Sequence, residues 1–192
     1  MKNVLILFFA LAGFSTAAQT IALNSTDATT GNRLITTSNR KGMELTIADN
    51  VARDGALFFA AGYNNSVTKG AAVNNYFIDL TIIHNDNRLG CLQEFTSTAI
   101  LTLEDGSKIE CFQISDSDCD KSSFKAAFAL MPKGGKPAEM QTNFAKLLNT
   151  PITEIEVVAT EGSLTYKIPG KKREILKKHF ILIEQAREKP SK

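Results

Sequence analysis

The sequence has no tryptophan, two histidines, three cysteines and five prolines in 192 residues. Each shortage excludes something. With only 5 prolines and 12 glycines, neither a collagen-like repeat nor a proline-rich disordered chain is possible, and 43% hydrophobic with 22% charged residues is ordinary for a globular domain. A formal charge of +2 is too small for bulk attraction to nucleic acid or to a membrane surface. After Val4–Phe14 no apolar run approaches the ~20 residues a membrane helix needs. Catalytic and cofactor spacings are missing too: there is no HExxH, GxSxG, GxGxxG, Walker motif or CxxC. No cofactor is therefore expected.

What is present begins with a leader. Lys2, the apolar run VLILFFALAGF and the small residues Ser15 to Ala18 follow the plan of a secretory signal peptide. Cleavage is expected after Ala18, or else after Ala17, leaving one domain over residues 19–192. No cysteine follows the apolar run, so a lipoprotein anchor is excluded. The expected location is the periplasm or the extracellular space, where cysteines oxidise. Three pairings are open to Cys91, Cys111 and Cys119. The Glu104-Asp105-Gly106 turn chooses between them. As a three-residue loop with Gly106 left-handed, it sets Leu101 opposite Ile109 and Ala99 opposite Cys111, and a one-residue slip would scatter that apolar face. Opposed residue numbers then sum to 210, as do 91 and 119. A Cys91–Cys119 bridge is expected, with Cys111 a buried thiol.

The body of the chain reads as strands. Met43, Leu45 and Ile47 alternate with Glu44 and Thr46, and further β-like runs cover Leu34–Thr37, Leu57–Ala61, Tyr76–Ile83 and Ala126–Leu130. In the third of these, Tyr76, Ile78, Leu80 and Ile82 are expected inside and Asp79 and Thr81 outside. Segments 49–55 and 62–75, rich in Asn, Gly and Asp, are read as loops, the second long enough to be mobile. After the PKGGKP breaker, Met140, Phe144, Leu147 and Leu148 make one helical stripe. A hairpin with Glu161-Gly162 as its turn would set Val157 opposite Tyr166 and Glu156 beside Lys167. Residues 171–188 read as a second helix whose stripe, Ile175 to Ala186, covers the sheet. The predicted fold is mainly β (α+β), an antiparallel sandwich-like domain with two helices near the C-terminus.

Candidate chemistry is sparse. His84 at a strand end and His179 on the last helix lie in no catalytic spacing. Asp116, Asp118 and Asp120 alternate as the first ligands of an EF-hand loop do, but Lys121 stands where that loop needs Gly and Ala127 where it needs Glu. They are the sole metal candidates and are read as a solvated turn tied down by Cys119. Asn24-Ser25-Thr26 and Asn64-Asn65-Ser66 match the glycosylation sequon by composition alone. Residues 167–192 hold nine basic against three acidic side chains, a net +6. Once the leader is removed, residues 19–166 are left with −5.

The leader, the TTGNRLITTS segment, the LTLEDGSKIE hairpin flanked by cysteines, and LLNTPITEIEVVATEGSLTYKI before a final helix resemble small exported proteins of Bacteroidota-type Gram-negative bacteria. The resemblance implies a short helix leading into a PIxxIxV hairpin and a last helix, and one cysteine on each side of the central hairpin, in agreement with Cys91 and Cys119. It carries over no active residue. The expected function is a non-enzymatic binding or interaction module of the cell envelope, its partner a protein or ligand there and not nucleic acid. The alternative is a hydrolase using carboxylates from Asp79, Asp86, Glu94 and the 116–120 cluster, which would need two or more of them in one concave pocket.

Overall fold

The computed structural model describes residues 19–39, 46–47, 56–68, 71–84, 86 and 88–189. The leader, the Met43–Leu45 part of the strand read at 43–47, and the loop read at 49–55 lie outside these residues. The strands are β1 (Gln19–Thr26), β2 (Arg33–Asn39), β3 (Thr46–Ile47), β4 (Ala56–Thr68), β5 (Ala71–Ile83), β6 (Thr98–Leu103), β7 (Lys108–Gln113), β8 (Ser123–Ala129), β9 (Ile152–Val158) and β10 (Ser163–Lys167). Helix α1 spans Pro137–Asn149, and α2 spans Ile175–Arg187 after a 3-10 turn at Gly170–Lys172. The chain is mainly β with two helices near its C-terminus, as the patterning predicts.

All strands are antiparallel and form one path, β1-β2-β4-β5-β8-β7-β6-β9-β10, with β3 on β4. This single sheet curls until β10 touches β3, while α2 lies on β1, β2 and β4 and α1 on β5. One face of every long strand is buried: Tyr76, Ile78, Leu80 and Ile82 are each 1% exposed or less, as expected from period-two alternation. Tyr76 stacks on Phe144 at 3.8 Å, and Phe144 meets Phe180 edge-on at 5.3 Å, so both helices close on β5 through aromatic rings.

Two sequence readings are corrected. The loop expected at 62–75 is a hairpin, since β4 continues to Thr68 and β5 begins at Ala71. Asparagine disfavours strands, but here the polar side chains bond across the ladder. Tyr63 Oη donates to Asn74 Oδ1 at 2.7 Å, and Asn65 Nδ2 donates to the same oxygen at 2.8 Å. The β9–β10 register also differs. Val157 faces Leu164 and Ile155 faces Tyr166, so Glu156 meets Thr165 and Lys167 meets Glu154. The turn residues are Thr160 and Glu161, closed by Ala159 N–H donating to Gly162 O at 2.8 Å. Segment 89–91 holds them there: Thr160 and Glu161 donate their N–H groups to Cys91 O and Leu89 O, and Cys91 N–H donates to Thr160 Oγ1. A two-residue shift leaves each side chain on its own face, so hydrophobic patterning cannot distinguish the two registers.

Candidate functional site

The central hairpin has the expected register, Leu101 opposite Ile109 and Ala99 opposite Cys111, with Gly106 at φ 82°. Beyond it the ladder opens and closes again. Gln113 N–H donates to Ser97 O at 3.0 Å, then Leu92 and Asp118 exchange both backbone bonds at 2.8 Å, and Cys91 and Cys119 are joined as a disulfide. Each pair keeps the sum of 210, because the two intervening arcs, 93–96 and 114–117, are equally long. The 114–117 arc leans toward β8, where Ile114 N–H donates to Ala127 O and Ala127 N–H to Ser115 Oγ. The 93–96 arc stays beside it through Glu94 N–H donating to Ser117 Oγ at 3.0 Å.

These arcs border an unusual sheet face. On the face opposite Tyr76, Ile78, Leu80 and Ile82, register aligns Gly62, Phe77, Ala129 and Phe112 in one row across β4, β5, β8 and β7, with Ala60, Asp79 and Ala127 in the next; Ala129 is buried and Phe112 packs against the core. Phe58, Phe77 and Phe112 are half-buried there. Phe77 lies flat across Gly62, where a Cβ would fall 1.9 Å from its ring. Above Phe112, at 6.4 Å between ring centres, Phe95 is 48% exposed. Phe95 is also the sole described non-glycine residue with a left-handed backbone, φ 56°. That conformation costs an L-residue about 1–2 kcal/mol. Replacing Phe95 by Asn, which tolerates it, is expected to raise unfolding stability by about 0.5–1 kcal/mol in urea titration. A loss of stability instead would make Phe95 a packing residue.

A pocket of about 360 Å³ opens between these elements, lined by Asp79, Asp116, Asp118, Lys125 and the hydroxyls of Ser115 and Ser117. Three of the carboxylates singled out in the sequence thus share one concavity. Asp118 is committed to the turn, its Oδ1 accepting from Asp120 N–H and its Oδ2 from Lys125 N–H. Asp120 likewise accepts from Ser122 and Ser123 and lies outside the pocket. Asp79 differs. It accepts no hydrogen bond and makes no ion pair among the described residues, and burial holds its carboxyl above the usual range against the opposing field of Lys125. Asp86 pairs with Arg88 at 2.7 Å, which holds its carboxyl low, and Glu94 is set apart in the other arc. No group of three or more His, Cys, Asp or Glu side chains is gathered for a metal ion among the described residues.

Both histidines are buried. His84 is 1% exposed with its ring 4.3 Å from Phe124, and His179 is fully buried, bonded through Nδ1 to Thr37 Oγ1 at 2.7 Å. A second pocket, of about 420 Å³, lies at the C-terminal end of α2, and the sequence offered no sign of it. Its charges serve the fold. Arg33 donates to the carbonyls of Ala186, Arg187 and Lys189, placing a cation at the negative end of the helix. Arg187 lies over the Tyr63 ring at 4.5 Å and donates to Tyr76 Oη and to Glu184. The apolar stripe of α2 is buried against the sheet, leaving its lysines outside. No helix among the described residues is long and apolar enough to cross a membrane.

No protein-family model, curated protein or solved structure matches the chain.

Proposed function

We propose that the chain is an exported, non-enzymatic binding module of the cell envelope. The observation that carries this reading is Phe95, an exposed aromatic held in a costly backbone conformation at the rim of an apolar sheet face. Sheet faces turned to water are normally polar, and strained residues concentrate where a protein does its work. The disulfide between Cys91 and Cys119, which anchors both arcs, suits an oxidising compartment. Pull-down from envelope extracts tests the reading: wild type should retain a partner that Phe95→Asn loses, and repeated recovery of the protein alone counts against it. N-terminal sequencing of the exported chain should begin at Gln19, or at Ala18 for the second cleavage choice.

A second reading, a carboxylate-dependent hydrolase, is favoured by Asp79 and Asp116 lining one pocket. An acid needs a raised carboxyl and the partner a free carboxylate. Turnover of chromogenic glycosides or esters that Asp79→Asn abolishes would replace the binding reading with this one.

A further inference from the structure

We propose that the outer face of β4, β5, β8 and β7 docks a polypeptide segment presenting an arginine or lysine beside an apolar side chain, the cation entering the pocket at Asp79 and the apolar residue lying on Phe95 and Phe112. The inference rests on the binding reading and names the partner's chemistry.

Three independent features converge. The first is composition. Phe58, Phe77 and Phe112 lie half-buried on the face opposite Tyr76, Ile78, Leu80 and Ile82, with Ala60 and Ala127 on either side of Asp79, while Gly62 is covered by the Phe77 ring and Ala129 is buried. The second is Asp79. Its carboxylate stands between Ala60 and Ala127, its neighbours on the adjacent strands, with no hydrogen bond and no ion pair among the described residues. Its carboxylate is half-buried and lines the pocket, and a guanidinium or ammonium group supplies both the charge and the donors it lacks. The third is the charge of the pocket, where Asp79, Asp116 and Asp118 face one cation, Lys125. Phosphate and acidic ligands are repelled there. Its volume of about 360 Å³ is ample for one long side chain. The arcs hold these features in register: Glu94 N–H is bonded to Ser117 at the pocket edge, so Phe95 sits one residue from the rim. Lys125 is the intramolecular competitor, and its field on Asp79 is what an incoming cation must displace.

The experiment uses the purified protein and an immobilised array of random octapeptides, read by bound protein at 50 mM and 500 mM salt. Retained peptides should be enriched in Arg or Lys next to Leu, Ile or Phe, and binding should weaken several-fold at the higher salt. Binding should fall at least tenfold in Asp79→Asn and in Phe95→Asn and rise several-fold in Lys125→Ser, with circular dichroism melts verifying that each variant is folded. Peptides without a cation, retained by Asp79→Asn and lost by Phe95→Asn, would overturn the partner chemistry and leave the binding reading standing. An array with no retained peptides, or retention unaffected by either variant, would overturn the inference, and the envelope pull-down then decides the binding reading separately.

Discussion

Lowering the pH from about 6.5 to about 4 is expected to remove about 3 kcal/mol of folding stability through His179 alone. Burial of the ring pushes its pKa down from 6.5 to about 4, with no charged neighbour contributing. The folded state therefore refuses a proton that the unfolded chain accepts. Stability is fully present above the unfolded value and is lost as pH falls toward the folded one. The geometry fixes the tautomer of the neutral ring. Thr37 has one hydroxyl proton, and it points to Ala61 O at 3.1 Å, while the same oxygen accepts from Ala61 N–H at 2.9 Å. Its remaining lone pair takes Nδ1–H of His179. One threonine side chain thus continues the β2–β4 ladder where the backbone pairing ends at Thr36 and Gly62, and ties α2 to it. Urea titrations at pH 4 to 7 should show the loss in wild type and most of the slope abolished in His179→Leu. An unchanged slope in that variant would assign the acid sensitivity to other groups.

Removing the Cys91–Cys119 bridge, by the double serine variant or by reduction, is expected to cost about 3–4 kcal/mol, the loop-closure value for a separation of 28 residues. Its location makes the consequence local as well. The bridge and the Leu92–Asp118 pair hold the outer ends of both arcs, and β6 and β7 hold the inner ends, so the arc bearing Phe95 and the arc lining the pocket are clamped from two sides. Losing one clamp should free the arcs before the core melts, seen as amide exchange rising in 92–97 and 114–119 ahead of β5 and β8. Thiol titration supplies the check. Cys111 is fully buried, and burial pushes its thiol well above the usual range. A thiolate reagent should find no reactive thiol in the native protein and one in denaturant. Two or three in denaturant, or no stability difference on reduction, would contradict the assignment.

Much of the fold was legible because alternation decides which face of a strand is buried. The Tyr76 run, the central hairpin and both helical stripes were readable for that reason, and the equal arcs carried the register out to the disulfide. The candidate site was half legible. Asp79, Asp116 and Asp118 could be named as carboxylates, but the pocket exists because β5 and β8 are neighbours and the 114–117 arc beyond β7 bonds to β8. A hint of the outer face lay in Tyr76-Phe77-Ile78 and Cys111-Phe112-Gln113, where an aromatic occupies a position that alternation assigns to solvent. Nothing in the sequence marks Phe95, since a left-handed backbone at a non-glycine residue leaves no compositional trace.

By itself, then, the sequence determined the inward face of each strand, the turn at Gly106 and the partner of Cys91, all consequences of local period and chain geometry. Tertiary structure decided the rest. The β9–β10 turn moved by one residue because segment 89–91 offered hydrogen bonds to Thr160 and Glu161, and Asn-rich 62–75 became a hairpin because side chains on opposite strands satisfied one another. The burial of His179 and the isolation of Asp79 have the same origin: each is set by neighbours distant along the chain, which local pattern does not encode.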